Sequence, residues 1–227
     1  MLLRRAFLST MTVVLMCYSA FSQQNLPRFT IGLSAGYAIF TPADLNSLLS
    51  RLSFPEIKGG LKLSGDVGYF ITRSLSIHLA GGYVIASSTS TIPVTTSTGP
   101  EVVATAGERY RITALPIGLG VVYHLPIEPI NLNIGAFADL NFATAEYRLD
   151  ETPVSSSQTE NRKKSPLGGH FYVGPEFGLT EGFGLQLQLG YRLAKISGLD
   201  GSQGFFPVKL DVDFTGVYAV AGVRFRF

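Results

Sequence analysis

The sequence predicts an all-β fold, an eight-stranded antiparallel up-and-down β-barrel that crosses a membrane through its strands. Three observations carry this reading. Eight stretches alternate residue by residue between large apolar side chains and Gly, Ser, Asn, Gln or charged ones, the period-2 signature of strands with two unlike faces. The connections between these stretches alternate short and long. The last stretch, DFTGVYAVAGVRFRF, ends on a bare aromatic residue, which is costly in water and natural in lipid.

The first strand is Phe29–Phe40, with Phe29, Ile31, Leu33, Ala35, Tyr37 and Ile39 opposite Thr30, Gly32, Ser34, Gly36 and Ala38. The second, Gly60–Ile71, sets Leu61, Leu63, Val67 and Tyr69 against Lys62, Ser64, Asp66 and Gly68. A tight turn at Thr72–Ser74 leads to a third, where Leu75, Ile77, Leu79 and Tyr83 oppose Ser76, His78, Ala80 and Gly82. The fourth, Arg109–His124, alternates cleanly from Leu115 onward. Its first half, with Tyr110 and Ile112, reads in the opposite phase, so a bulge is expected near Thr113–Pro116, where proline lacks a ladder donor. His124 falls at the turn that follows, Leu125–Pro129.

The fifth strand, Ile130–Arg148, places Leu132, Ile134, Leu140 and Phe142 against Asn133, Gly135, Asp139 and Asn141. In the sixth, Gly169–Leu179, Phe171, Val173 and Phe177 oppose His170, Tyr172 and Glu176. In the seventh, Phe183–Leu193, Leu185, Leu187 and Leu189 oppose Gln186, Gln188 and Arg192. The eighth, Asp213–Phe227, has Val217, Ala219, Val223, Phe225 and Phe227 on one face, Arg224 and Arg226 on the other. Short turns lie around Arg73, Leu125–Pro129 and Glu181. Long loops cover Thr41–Gly59, Ser87–Glu108, Leu149–Gly168 and Ser197–Val212; the first, through PADLNSLLSRLSF, has the spacing of a short amphipathic helix.

An even number of strands with short turns at one end and long loops at the other is the layout of an outer-membrane barrel. A lipocalin-like soluble barrel is the rival, with its apolar face inward. Eight strands enclose too little space for so many bulky side chains, and a Gly/Ser face would then meet solvent. Apolar-out is therefore expected, with aromatic girdles at two depths: Phe29, Tyr69, Tyr123, Phe183, Phe225 and Phe227 near the short turns, and Tyr37, Tyr83, Phe171 and Tyr191 higher.

Residues 1–22 read as a signal peptide: Arg4 and Arg5, an apolar run from Ala6 to Met16, then Ala20 and Ser22 at the positions that suit cleavage after Ser22. A lipoprotein signal at Cys17 fits less well, because Met16 stands where a small residue belongs. Residues 23–227 then form the barrel domain. That domain carries 16 basic and 16 acidic residues, hence no net charge and no support for nucleic-acid binding. It holds no cysteine, so disulfides are not expected to stabilise it.

The closing strand and the overall layout resemble the OmpA/OmpX/opacity-type family of eight-stranded outer-membrane barrels, and LKLSGDVGYFIT (61–72) looks close to that group's outer membrane beta-barrel protein members. The resemblance implies a Gram-negative outer-membrane location and partners among outer-membrane lipids and lipopolysaccharide. It also implies periplasmic chaperones and the barrel-assembly machinery, which would read Phe225 and Phe227 as an assembly signal, and a monomer. A peptidoglycan-anchoring role is not implied.

The inferred lumen gathers Lys62, Arg192, Arg224 and Arg226 against Asp66, Asp139 and Glu176, with His78, His170, Gln186, Gln188, Asn133 and Asn141. Such charges should pair, since an unpartnered buried charge costs several kcal/mol. The expected result is a polar plug. A small-solute or ion pore is the alternative, or an apolar molecule leaving laterally. A lipid A-modifying enzyme would need a Ser/His site in an outer loop, where no histidine falls. No metal-ligand spacing, P-loop or nucleophile elbow occurs, so no catalytic residue, cofactor or metal is expected. The function expected is structural or interactive, with four long loops displayed on a narrow plugged barrel. Lys163 and Lys164, in the third long loop, could touch lipopolysaccharide phosphates or form a solvated tip.

Overall fold

The computed structural model describes residues 28–51, 53–95, 103–150, 159–164, 166–199 and 210–227. The predicted signal peptide, residues 1–22, lies outside the described residues. The strands are β1 (Phe29–Phe40), β2 (Gly59–Phe70), β3 (Leu75–Thr95), β4 (Val103–Ile127), β5 (Ile130–Asp150), β6 (Thr159–Lys164), β7 (Leu167–Thr180), β8 (Phe183–Leu193), β9 (Lys195–Leu199), β10 (Leu210–Asp213) and β11 (Gly216–Arg226). One helix, α1 (Ala43–Arg51), lies between β1 and β2.

Every pairing is antiparallel, and β4 pairs with both β3 and β5, so the order β4-β3-β2-β1-β11-β8-β7-β5 closes on itself as an eight-stranded barrel. The seam joins first strand to last: Arg28 and Phe29 donate their amides to the Phe227 carbonyl at 2.5 and 3.1 Å, and Phe227 donates back to Phe29 at 2.9 Å. Closure removes every edge whose backbone groups lipid could not satisfy.

Side chains sort as the alternation dictates. Leu33, Leu79, Leu119, Leu189 and Phe227 stand on the outer surface, Leu189 at 62% and Phe227 at 66% exposure. The residues next to them along each strand, such as His78 and Gly118, point inward and are buried or half-buried. A water-soluble fold does not leave an unbroken apolar belt like this in solvent; a bilayer covers it. Girdle rings meet across strands, Phe29 with Tyr69 at 5.2 Å, Phe183 with Phe225 at 5.1 Å and Phe171 with Tyr191 at 5.7 Å.

The expected bulge in the fourth strand is absent. The β3–β4 register runs through Gly81↔Ile117 and resumes in the same phase at Val84↔Ala114. The unpaired step lies at Leu115–Pro116, so proline interrupts the ladder without inserting a residue. Tyr110 and Ile112 therefore face inward with Ala114. The sequence reading assumed that apolar side chains face lipid throughout. In the upper barrel they face one another.

That upper interior is an apolar core. Ala38, Phe40, Val84, Ala86, Tyr110, Ile112, Ala143, Ala145, Ala194, Ile196, Val212 and Phe214 line it, and α1 plugs it with Leu45 and Leu49, one helical turn apart and fully buried. Asn46 fixes the plug: its amide donates to the Ile57 carbonyl at 2.9 Å and its side-chain oxygen accepts from the Ile57 amide at 2.8 Å. Ser88 on β3 donates to the Pro55 carbonyl at 2.7 Å, tying the returning loop to the wall.

Three stretches expected as long loops are largely hairpin. The β3–β4 ladder persists to Thr95↔Val103, leaving 96–102 outside the described residues. β6 and β7 hold one register against β5, interrupted at 165–166, so they form one broken strand. β9 and β10 continue the β8–β11 pairing above a break where the Phe214 amide donates to the Ala194 carbonyl at 2.9 Å. At the other end the ladder reaches Ile127↔Ile130, tightening that turn to two residues.

Candidate functional site in the barrel interior

The lumen below the apolar plug is polar, and its large side chains sit directly opposite glycines of neighbouring strands. Asp66 pairs with Gly32, His78 with Gly68, Asp139 with Gly118, Tyr172 with Gly135 and Tyr218 with Gly190. A Cβ at Gly118 would lie 2.0 Å from Asp139 Oδ1, and one at Gly190 2.3 Å from the Tyr218 ring. The glycines make room for side chains that eight strands could not otherwise enclose.

At the short-turn end, polar groups from six strands close a ring. His78 Nδ1 lies 2.7 Å from Asp66 Oδ2, and its Nε2 lies 2.7 Å from Ser76 Oγ. The same hydroxyl lies 2.7 Å from His124 Nε2, and His124 Nδ1 lies 2.7 Å from Asn133 Oδ1. Asn133 Nδ2 donates to Glu176 at 2.9 Å. Arg224, fully buried, returns to the start: its Nη2 donates to both Asp66 oxygens at 3.2 Å, and its Nε faces Glu176 at 4.0 Å. Arg226 pairs with Glu176 at 2.7 Å. Phe70 covers the floor, its ring 4.8 Å from that of His124 and 5.8 Å from the Arg226 guanidinium.

A second tier lies above. His170 Nδ1 is 2.7 Å from Asp139 Oδ2, and its ring stacks on Phe137 at 4.5 Å. Lys62 Nζ sits 4.4 Å over the Tyr218 ring, and Gln188 donates to Gln186 at 3.3 Å. Arg192 donates to Asn141 and lies 5.8 Å from the Phe214 ring, where the polar tier meets the apolar plug. Between the tiers lies a cavity of about 30 Å³, bordered by Lys62, Asp66, Asp139, His170, Arg192 and Tyr218. That is room for one or two waters.

All nine charged or imidazole residues inferred for the lumen thus lie in it: Asp66, His78, Glu176, Arg224 and Arg226 in the ring, and Lys62, Asp139, His170 and Arg192 in the upper tier. His124 was placed at a turn and is instead buried in β4 as a ring member. One more step of the Gly118, Gly120, Val122 parity reaches it. Ser76 shares parity with His78, but its cross-strand link to His124 leaves no mark in a single sequence.

Asp66, His78 and Ser76 are spaced like an acid–base–nucleophile series. Two imidazoles hold the Ser76 oxygen, and Ser76 is wholly buried, so it serves as a hydrogen-bond link where no substrate reaches it. Among the described residues no group of His, Cys, Asp or Glu has the arrangement of a metal site.

A closed antiparallel barrel with an apolar outer belt and a polar, ion-paired lumen is a transmembrane barrel of the Gram-negative outer membrane. The comparisons agree. Residues 8–225 match the family described as outer membrane protein beta-barrel domain, and the chain belongs to it. Among solved structures, Neisserial surface protein A is 14% identical over 88% of this chain and 96% of that one, with a TM-score of 0.50. OprG, an outer membrane protein of Pseudomonas aeruginosa, is 15% identical over 90% and 98%, at 0.49. The outer membrane protease OmpT of Escherichia coli is 10% identical over 89% and 98%, at 0.45. At these identities the likeness is one of fold. No curated protein matches the chain.

Proposed function

We propose that this protein acts as a closed scaffold in the outer membrane, with its long-hairpin end facing outward as an interaction surface, and that it is not an open pore. One observation carries the reading: two independent barriers block the lumen. The apolar plug of α1 fills the long-loop end and the ring of Asp66, His78, Ser76, His124, Asn133, Glu176 and Arg224 fills the other. The cavity between them is too small for a solute path. Rigid walls with extended hairpins at one end suit binding by those hairpins. The exposure of Phe225 and Phe227 on the outer face supports a role for them as the signal read by assembly factors, and the apolar belt suits a monomer surrounded by lipid.

Planar-bilayer recording tests the scaffold reading. Insertion of the purified protein should give no steady conductance above the membrane leak. A stable ohmic channel whose size changes on Asp139→Asn or Arg192→Gln would contradict it and assign an ion or small-solute pore.

A further inference from the structure

The hydrogen bonds of the floor ring can be counted, and the count does not close with ordinary protonation states. From Asp66 to Glu176 there are five links: Asp66–His78, His78–Ser76, Ser76–His124, His124–Asn133 and Asn133–Glu176. Each needs one hydrogen, and both terminal carboxylates only accept. Two neutral imidazoles contribute one hydrogen each and the hydroxyl one. The Asn133 amide serves one of its two links whichever way it is turned. The supply is four for five links. If Ser76 instead donates to the Val122 carbonyl, 3.4 Å away, both imidazoles must be doubly protonated and the deficit grows.

We infer that the ring is a binding site for one additional proton, carried on His78 between Asp66 and Ser76. Four placements satisfy all five links: His78 doubly protonated, His124 doubly protonated, Asp66 protonated, or Glu176 protonated with the Asn133 amide turned round. Arg224 donates to both oxygens of Asp66, and Arg226 pairs with Glu176, so both carboxyls are held as carboxylates. Of the two imidazoles, His78 lies 2.7 Å from the Asp66 carboxylate while His124 meets only the neutral Ser76 and Asn133, so His78 takes the proton. It then donates from Nδ1 to Asp66 and from Nε2 to Ser76; Ser76 donates to His124 Nε2, His124 donates from Nδ1 to Asn133, and Asn133 donates to Glu176. His124 stays neutral.

The groups facing His78 from the surrounding strands are Thr30 on β1, Asp66 on β2, His124 on β4 and Phe137 on β5. Glu176 on β7, with Arg224 and Arg226 on β11, completes the ring. The ring holds the proton whether or not the lumen conducts.

The chain has three histidines, so nitrogen NMR of the histidine-labelled protein purified from membranes resolves each imidazole. At about pH 8, where an ordinary imidazole is neutral, His78 should carry hydrogen on both nitrogens and His124 on Nδ1 alone. His170, linked to Asp139, gives the third resolved signal. A singly protonated His78 in the wild-type protein overturns the inference, whatever any variant does. Ser76→Ala removes two links and one hydrogen source, leaving three links and three hydrogens. His78 should then carry one hydrogen at the same pH. A doubly protonated His78 in that variant would assign the proton to the Asp66 charge alone and overturn the count.

Discussion

Arg224→Met should lower the stability of the barrel by about 3–5 kcal/mol, the cost of breaking a buried ion pair from one side. Arg224 is the closing member of the floor ring, with 0% exposure, both Asp66 oxygens at 3.2 Å and Glu176 at 4.0 Å. Methionine keeps the unbranched stem and removes the charge, so packing changes little while Asp66 keeps only His78 as a partner. Arg226 still faces Glu176, which limits the loss at that end. The measurement is the urea midpoint for unfolding from lipid vesicles, followed by tyrosine fluorescence. A second substitution, Asp66→Asn, should restore part of the loss, because an amide left without Arg224 is cheaper to bury than a carboxylate. A wild-type midpoint for Arg224→Met would mean that the pair contributes nothing to the fold.

The second large effect belongs on the outer face. Leu187 stands near the centre of β8, opposite Ala221 of β11 and pointing away from the lumen. Leu187→Arg should destabilise the inserted barrel by about 2–4 kcal/mol, the cost of a basic side chain at the bilayer midplane. Leu193, at the end of the same strand beyond the Phe171–Tyr191 ring pair, should tolerate Arg at a cost of roughly 0–1 kcal/mol. The gradient matters more than either value. Equal small costs at both positions would show that water, not lipid, meets this face.

Much of the fold was legible because alternation is a local property. β1 runs over Phe29–Phe40 as read, and β8 over Phe183–Leu193. The helix read into PADLNSLLSRLSF is α1, and its buried Leu45 and Leu49 show the spacing that suggested it. Alternation reports which residues share a face, and it is silent on depth. Tyr110 and Ile112 are apolar and inward because they lie above the polar tiers, against the α1 plug, where an apolar lining is favourable. Read as lipid-facing, they demanded a bulge that the β3–β4 register does not contain. The hairpins of β3–β4, β5–β6 and β9–β10 were read as loops because Ser/Thr-rich and charged segments lack a lipid face. A ladder standing outside the membrane needs none.

The interior was legible by parity and illegible by connection. Lys62, Asp66 and His78 share the inward set with Asp139, His170 and Glu176, and parity finds them. That His78 reaches Ser76, and Ser76 in turn His124, depends on the registers of β3 with β4 and β4 with β5, which strand-by-strand reading does not supply. A polar lumen could be inferred; its ordering as a closed ring required the cross-strand geometry.

The measurement that tests the account most directly uses the absence of tryptophan from the chain. A single tryptophan introduced as Leu187→Trp, in protein reconstituted into vesicles, should be strongly quenched by bromine atoms on lipid acyl chains and shielded from aqueous iodide. Quenching by iodide with no effect of brominated lipid would place the apolar face away from the bilayer and contradict the transmembrane barrel.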